Sequence, residues 1–460
     1  MASPSPPRPS TGVPGATIGW FTAACLLVSN IVGGGIFTTT GLLAREIGDP
    51  WWILGLWAIG GLFAVGGAMV YGELGSRLPH AGGDYVYLRE AYGPMIAFLG
   101  GWTSFAIGFG AAVAASAISF SAYAFQVMPI ADERGWRAKG LSLGLLWFVT
   151  FIHCRSLGAG GRLQRIITST KVLAVGILII GGLFAGSAHW DFLTVDGTEK
   201  TYAIGSTATA LVIITYCYLG WNVAGFIATE LRDPTRTLPR IMIGGTVFVA
   251  LIYMLLNLVY LIALSIEALA RDPIVPVAEK AVSALWGPGS GRSVAGLLCL
   301  SIAGAVSAMT WAGPRVYWAM ANDRAISSWL AKRDGFSGVP RRAILFQSSW
   351  ASVLILTGTF EQLIVYSGLV LALFMALTLS AIFPIRVKRI GNAEGYRMPW
   401  YPVLPMLLVV SALATVLVSL VQRPVEALYG AITVLGGVPF YYLWRTHQTR
   451  TKEERYLHDH

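Results

Sequence analysis

Apolar residues in this chain do not alternate with polar ones. They run together for about 18 to 25 residues at a time, and the polar residues collect between the runs. At 1.5 Å per residue such a run covers a hydrocarbon core of ~30 Å. Only helices and closed barrels satisfy the backbone in lipid, and unbroken rather than alternating runs are helical. The pattern therefore predicts an all-α membrane protein of twelve helices, near 17–45, 52–77, 94–127, 141–154, 164–186, 204–231, 241–264, 292–320, 343–360, 363–385, 402–421 and 425–444. The longest polar connections, 187–203, 265–291 and 321–342, are too short for a separate soluble domain, so any function must sit within the bundle. Gly60, Gly61, Gly66 and Gly67, and the small residues from Gly108 to Ala117, are read as sites of close helix approach.

Met1 to Ala16 is rich in Pro and Ser and lacks the charged start and small-residue cleavage pattern of a signal peptide, so 1–16 is expected to be a disordered cytoplasmic tail. The transmembrane domain is expected over 17–445 and a cytoplasmic C-terminal tail over 446–460. With the N-terminus inside, 24 of the 33 Lys and Arg fall on the inner side, which predicts a multi-pass plasma (inner) membrane protein with both termini cytoplasmic.

Composition agrees: mean hydropathy is +0.64 and 12% of residues are charged, about half the share of a soluble domain. The formal charge of +10 is explained by the inside bias rather than by nucleic acid, since no contiguous basic domain exists. Cys25, Cys154, Cys217 and Cys299 fall within spans or at their ends, with no zinc or disulfide spacing, and are read as small packing residues. None of the six histidines lies mid-span or forms a ligand-spaced pair, so neither catalysis nor a metal or other cofactor is expected.

Two spans are interrupted. The first reads Ser29-Asn30-Ile31-Val32-Gly33-Gly34-Gly35-Ile36-Phe37-Thr38, and the sixth reads Tyr216-Cys217-Tyr218-Leu219-Gly220-Trp221-Asn222. Glycine costs ~1 kcal/mol relative to Ala in a helix interior, and non-helical backbone at membrane depth survives only where protein or a watery cavity encloses it. Interrupted helices at matching positions of two five-helix halves point to a binding site at their interface. A broken helix offers free amides at the start of one half and free carbonyls at the end of the other, which together suit a zwitterion. The expected carboxylate contacts are the amides near Gly33, Gly34 and Gly35. The expected ammonium contacts are carbonyls of Ile31 and of the segment Tyr216, Cys217, Tyr218 and Leu219, with Asn222 a polar residue left mid-membrane beside them.

With those motifs in place the sequence resembles the amino acid–polyamine–organocation superfamily, nearest its L-type amino acid transporter branch and the bacterial relatives of that branch. The resemblance rests on Gly33-Gly34-Gly35-Ile36-Phe37, Tyr71-Gly72-Glu73-Leu74-Gly75, Gly82-Gly83-Asp84-Tyr85-Val86-Tyr87-Leu88, Gly220-Trp221-Asn222, Asp233-Pro234 before Leu238-Pro239-Arg240, Pro314-Arg315, and Tyr396-Arg397-Met398-Pro399. It implies a LeuT-type fold, with inverted repeats over 17–186 and 204–385, discontinuous spans one and six, and two added helices over 402–444. It implies a secondary transporter for a small neutral amino acid, probed at Tyr216 by an aromatic gate. Gly34 stands where Ser is usual, and Leu219 where relatives accepting bulky cargo often have Gly. Residues 128–140 lack the cysteine by which some relatives attach a glycoprotein, so no disulfide-linked partner is expected.

Ionisable groups inside spans are costly. Glu73 precedes Arg77 by four and is read as a structural pair, as is Glu230 with Arg232; Asn257 is read as an interhelical hydrogen-bonding residue. Lys171 lies ~9 Å along its helix from Arg165 and can either snorkel or act. The resemblance implies that its ammonium substitutes for sodium between spans one and eight, with Ser307 as the expected partner. The absence of Asp or Glu mid-span argues against a cationic cargo, although an exchanger of cationic or polyamine substrates and a nutrient sensor on the same fold are the alternatives.

Overall fold

A computed structural model describes residues 18–128, 135–186, 190, 204–271, 277–335, 337–358, 360–422 and 424–458. The tail expected over 1–16 lies outside the described residues. Helices account for nearly all the rest, and among the described residues the sole strand-like pairing is a single parallel bridge between Ile18 and Leu231.

The first half runs α1 (Trp20–Ile31), a 3-10 turn Gly35–Phe37, α2 (Thr39–Ile47), α3 (Pro50–Arg77), α4 (Asp84–Tyr92), α5 (Pro94–Thr103), a π-helical stretch Ser104–Phe109, α6 (Gly110–Val127), α7 (Trp136–Arg155) and α8 (Leu157–Leu183). The second half runs α9 (Ile204–Tyr218), α10 (Val223–Phe226), a 3-10 turn Ala228–Glu230, α11 (Pro234–Ala263), α12 (Ile266–Ala270), α13 (Val277–Trp286), α14 (Gly291–Asn322), α15 (Arg341–Thr357), α16 (Phe360–Ser380) and α17 (Ile382–Val387). α18 (Val403–Gln422) and α19 (Pro424–His458) follow, and α19 continues as helix through most of the stretch expected as a C-terminal tail. Among the described residues, six helical stretches are long and apolar enough to cross a membrane by length and composition: Pro50–Arg77, Pro94–Val127, Leu157–Leu183, Pro234–Ala263, Gly291–Asn322 and Val370–Val387.

Local chemistry sets several of these boundaries. Asp49 caps α3 by accepting from Trp52 N–H at 2.7 Å, with Pro50 at the first helical position, where its missing N–H costs nothing. Ser156 caps α8 from the Ala159 N–H at 3.0 Å. Glycine in the left-handed region at Gly48 (φ 66°) ends α2.

α1 packs among α8, α11 and α14, while α3 runs along α11, and α14 lies against α6. The small residues of α3 make close approach possible, for a Cβ on Gly61 or Gly72 would press on Ala250 or Pro239 of α11 at 3.2 Å, one on Gly60 would collide with Ile214 of α9, and one on Gly67 with the ring of Trp221. Polar side chains tie neighbouring helices together. Thr40 of α2 donates to Asn257 of α11, as expected of Asn257, and the hydroxyls of Thr150 and Ser348 join α7 to α15 at 2.7 Å.

Buried charge gathers at one end of the bundle, called the basic end below. Glu73 bonds Arg77 at 2.8 Å as expected, and it also takes Arg386 and the Met398 N–H. Glu230 corrects its expected pairing: its carboxylate meets Arg315 of α14 and the Trp311 indole, both at 2.9 Å, rather than Arg232. The Arg232 backbone N–H instead donates to Ile18, and the Ile18 N–H to Glu230 O at 2.7 Å, so the residues before α1 bind the segment after α10.

Candidate functional site

The interruption of the first span lies between α1 and the turn Gly35–Phe37. The Val32 N–H still reaches back to Val28 O, but Gly33 N–H folds onto Ile31 O at 2.8 Å, and helical bonding restarts with Phe37 N–H to Gly34 O. Amides at the start of a helical turn have no partner within it. Gly34 and Gly35 occupy that start. A Cβ on Gly33 or Gly34 would meet nothing within 4 Å, so both face open space, whereas one on Gly35 would lie 2.8 Å from Cys217 Sγ.

The second interruption lies between α9 and α10. Gly220 there has φ +115°, a conformation an L side chain rarely adopts, and a Cβ at that position would run into Asn30. Asn30 Nδ2 donates to the Gly220 carbonyl at 3.2 Å. Tyr253 of α11 joins the two breaks more directly, its hydroxyl shared between the carbonyls of Ile31 at 2.9 Å and Cys217 at 3.2 Å. Thr39 Oγ1 and Cys217 Sγ add a third link at 3.2 Å. The Ile31 carbonyl expected for an ammonium already accepts from both Gly33 N–H and Tyr253, whereas the Cys217 carbonyl accepts from Tyr253 and keeps its second lone pair.

Both breaks open on one cavity of about 620 Å³, within the range of ligand sites. Ile31, Gly33, Gly34, Gly35, Tyr216, Cys217, Leu219 and Asn222 all line it, so the structure brings together every residue expected at the substrate site. Tyr216 is 42% exposed along its wall. The opposite wall comes from α6 and the π-helical stretch, a local irregularity frequent at functional sites, with Ser104, Gly108, Phe109 and Ser116 facing the space. Toward the basic end of the cavity Phe109 meets Phe226 edge-on, with ring centroids 5.2 Å apart.

Lys171 lies outside the cavity and is fully buried. Its Nζ donates to Val32 O at 2.8 Å, Ser301 O at 2.9 Å, and Ser29 O and Oγ at 3.3 Å, so it links the end of α1 to α14 rather than snorkelling. The expected partner Ser307 is corrected to Ser301, because Ser307 Oγ bonds His153 Nε2 at 2.9 Å.

Sequence reasoning missed three lining or linking groups. Tyr253 and Asn30 act across distances in sequence that no local pattern marks. Asp84, first residue of α4, comes from a connection between spans yet lines the cavity floor. Its Oδ2 accepts from Asn222 Nδ2 at 3.4 Å, and burial pushes its carboxyl up to about 7, against the opposing pull of Tyr71 and Asn222.

The chain matches the profile of the family described as "Amino acid permease" over residues 18–439. It is 28% identical over 435 residues to the serine/threonine exchanger SteT of Bacillus subtilis, covering 92% of this chain and 96% of that protein. It is 26% identical over 439 residues to b(0,+)-type amino acid transporter 1 of Mus musculus, covering 93% and 87%. To large neutral amino acids transporter small subunit 2 of Homo sapiens it is 28% identical over 440 residues, covering 93% and 80%.

Proposed function

Because the chain belongs to the amino acid permease family, we propose that it carries a small neutral amino acid across a membrane by alternating access, as a permease or exchanger without sodium. The observation that carries this reading is the pair of broken helices facing a single cavity, with the amides at Gly34 and Gly35 and the carbonyls of Ile31 and Cys217 on its wall. The carboxylate of the cargo binds at the glycines, where no Cβ stands in the way, and its ammonium binds the free lone pair of the Cys217 carbonyl beside Ile31. Tyr216 closes over it, and Leu219 limits the side chain.

The arrangement in the membrane follows the same reading: twelve spans in a LeuT-type 5+5 inverted repeat plus two added helices, with spans one and six discontinuous and the basic end in the cytoplasm. Conduction of ions through an open pore or turnover of a substrate has no counterpart in these groups, so the protein is a carrier rather than a channel or an enzyme. With no cysteine in 128–140, it works without a disulfide-linked partner at that loop. Lys171 supports sodium independence, since its ammonium bonds the α1 and α14 carbonyls that a cation between these helices would otherwise bridge.

Counterflow of labelled amino acids in proteoliposomes tests this. Saturable, sodium-independent exchange of small neutral amino acids is expected, with weak competition from lysine and arginine because Asp84, the one acidic group lining the cavity among the described residues, has an oxygen closed to solvent. Absence of saturable exchange with any amino acid would end the carrier reading and leave the sensor.

A further inference from the structure

The floor of the cavity at the basic end holds a carboxylate that carriage of a neutral amino acid leaves without a task. Asp84 Oδ1 is buried and makes no well-formed hydrogen bond, its polar neighbours there being the hydroxyls of Tyr71 and Tyr87, which are neutral. The single bond to Oδ2, from Asn222, is long at 3.4 Å. No described ion pair includes Asp84: Arg77 and Arg386 serve Glu73, Arg315 serves Glu230, and Arg89 serves Glu90 and Asp323. An ionised carboxylate enclosed this way carries a desolvation cost that a counter-charge normally offsets. The oxygen is closed even to water, so the counter-charge has to be one that occupies no volume.

We propose that Asp84 is a proton-binding site of the gate at the basic end, protonated while α4 and α10 are in contact and ionised when they part. This rests on the alternating-access reading above. Two links hold the start of α4 to the broken span: Gly82 N–H donates to Phe226 O at 3.1 Å, and Asn222 reaches Asp84. Gly83 fits against the Phe226 ring so closely that a Cβ there would lie 2.6 Å from it. Moving α10 to open this end therefore withdraws Asn222 and Phe226 together and lets water reach the closed oxygen Oδ1, so that the carboxyl releases its proton to that side.

The groups facing Asp84 are the Tyr71 hydroxyl from α3, with Thr378 of α16 behind it, Tyr87 from α4 itself, and Asn222 from the break. α14 presents the Arg315 backbone carbonyl toward Gly82, while the Arg315 guanidinium is turned to Glu230 and Trp311. His80, in the preceding loop, feels Arg89, Glu90 and Asp323. None of these supplies Asp84 with a cation, and its carboxyl is accordingly raised to about 7. A hydrated aspartate ionises near ~3.9. Between those two values the contacted conformation holds a proton that the parted one has lost. Falling pH therefore favours contact by up to ~10-fold per unit, rising pH favours parting, and the effect levels off above about 7.

Ala319→Cys on a background with the four native cysteines replaced by alanine reports on this gate, because Ala319 is 7% exposed and packs against Gly82 in the contacted conformation. Alkylation of the introduced thiol by N-ethylmaleimide is measured in the purified full chain from pH 5.5 to 8.5 and divided at each pH by the rate for the same protein unfolded in SDS. The normalised rate is expected to rise several-fold between pH 5.5 and 7 and then flatten. In Asp84→Asn, which mimics the protonated carboxyl, it should stay low and flat, while His80→Gln keeps the rise. Binding of a mixture of the standard amino acids should change the rate in every variant, which shows each to be folded and mobile. A pH dependence that survives Asp84→Asn, or disappears in His80→Gln, overturns the proton site alone. A rate that answers neither pH nor amino acids in the parent overturns the access reading and this inference with it.

Discussion

Three adjacent glycines do different work in this site. Gly34 and Gly33 face open cavity, while Gly35 leaves just enough room for Cys217, whose Sγ would stand 2.8 Å from a Cβ placed there. Gly34→Leu is therefore expected to fold and to lose amino acid binding, because the new side chain projects into the space read as the carboxylate position; unchanged affinity in a binding assay would move the site elsewhere. Gly35→Ala should act through Cys217, lowering both thermal stability and affinity, and Gly35→Ala combined with Cys217→Ala should recover much of the stability. Leu219 lines the same cavity, so Leu219→Gly is expected to improve binding of larger neutral amino acids by up to ~2 kcal/mol, the scale of burying an apolar side chain in newly opened space. An unaltered selectivity profile across an amino acid panel would show that Leu219 does not border the cargo. These positions were legible in the sequence because glycine and polar side chains inside an apolar run contradict their surroundings. Asp84 was not, since it sits in a short polar connection where a carboxylate is ordinary and only the folded chain brings it under Asn222.

At the scale of elements, the sequence located both breaks but not what holds them in register. Tyr253 lies in the middle of an apolar helix and looks like any buried aromatic, yet its hydroxyl clamps the ends of α1 and α9. Lys171 stood out as a cation within a span, whereas its neighbour on α14 could not be read from spacing. Ser301 and Ser307 are six positions apart, which at ~100° per residue places them on different faces of one helix, and only packing decides that the Ser301 backbone carbonyl accepts from Lys171 while the Ser307 hydroxyl meets His153. The same geometry separates two variants. Lys171→Ala removes the shared donor of Val32 O and Ser301 O and frees the end of α1 from α14. A large fall in exchange rate with a much smaller change in affinity is expected, because no cavity-lining group is lost. Ser307→Ala removes one neutral bond to His153 at a cost on the order of 1 kcal/mol and should leave the rate near that of the parent. Full activity of Lys171→Ala in a proteoliposome exchange assay, or strict sodium dependence of the parent, would remove Lys171 from the transport cycle.

For the whole molecule, the charge asymmetry of the sequence falls on the end of the bundle where the buried ion pairs gather. Counting Lys and Arg along the sequence puts 24 of 33 on one side, and in the folded chain the buried pairs Glu73–Arg386 and Glu230–Arg315, together with the bridge from Ile18 to Leu231, lie at that end. A positive excess within short loops is retained on the cytoplasmic side during insertion, so this end should face the cytoplasm. Phe109 packs against Phe226 toward that end of the cavity, and Tyr216 stands partly open along its wall; on the proposed orientation this is the side from which cargo is expected to enter. Two sites read the orientation without touching the cavity. Ala138 lies at the start of α7, away from the basic end, and Ser328 is exposed in the connection between α14 and α15 on the basic end. On a background with the four native cysteines replaced by alanine, Ala138→Cys should react with an impermeant maleimide added outside intact cells. Ser328→Cys should react only after the membrane is permeabilised. Labelling in the reverse pattern would invert the assigned topology, and with it the side from which the open wall near Tyr216 receives its amino acid.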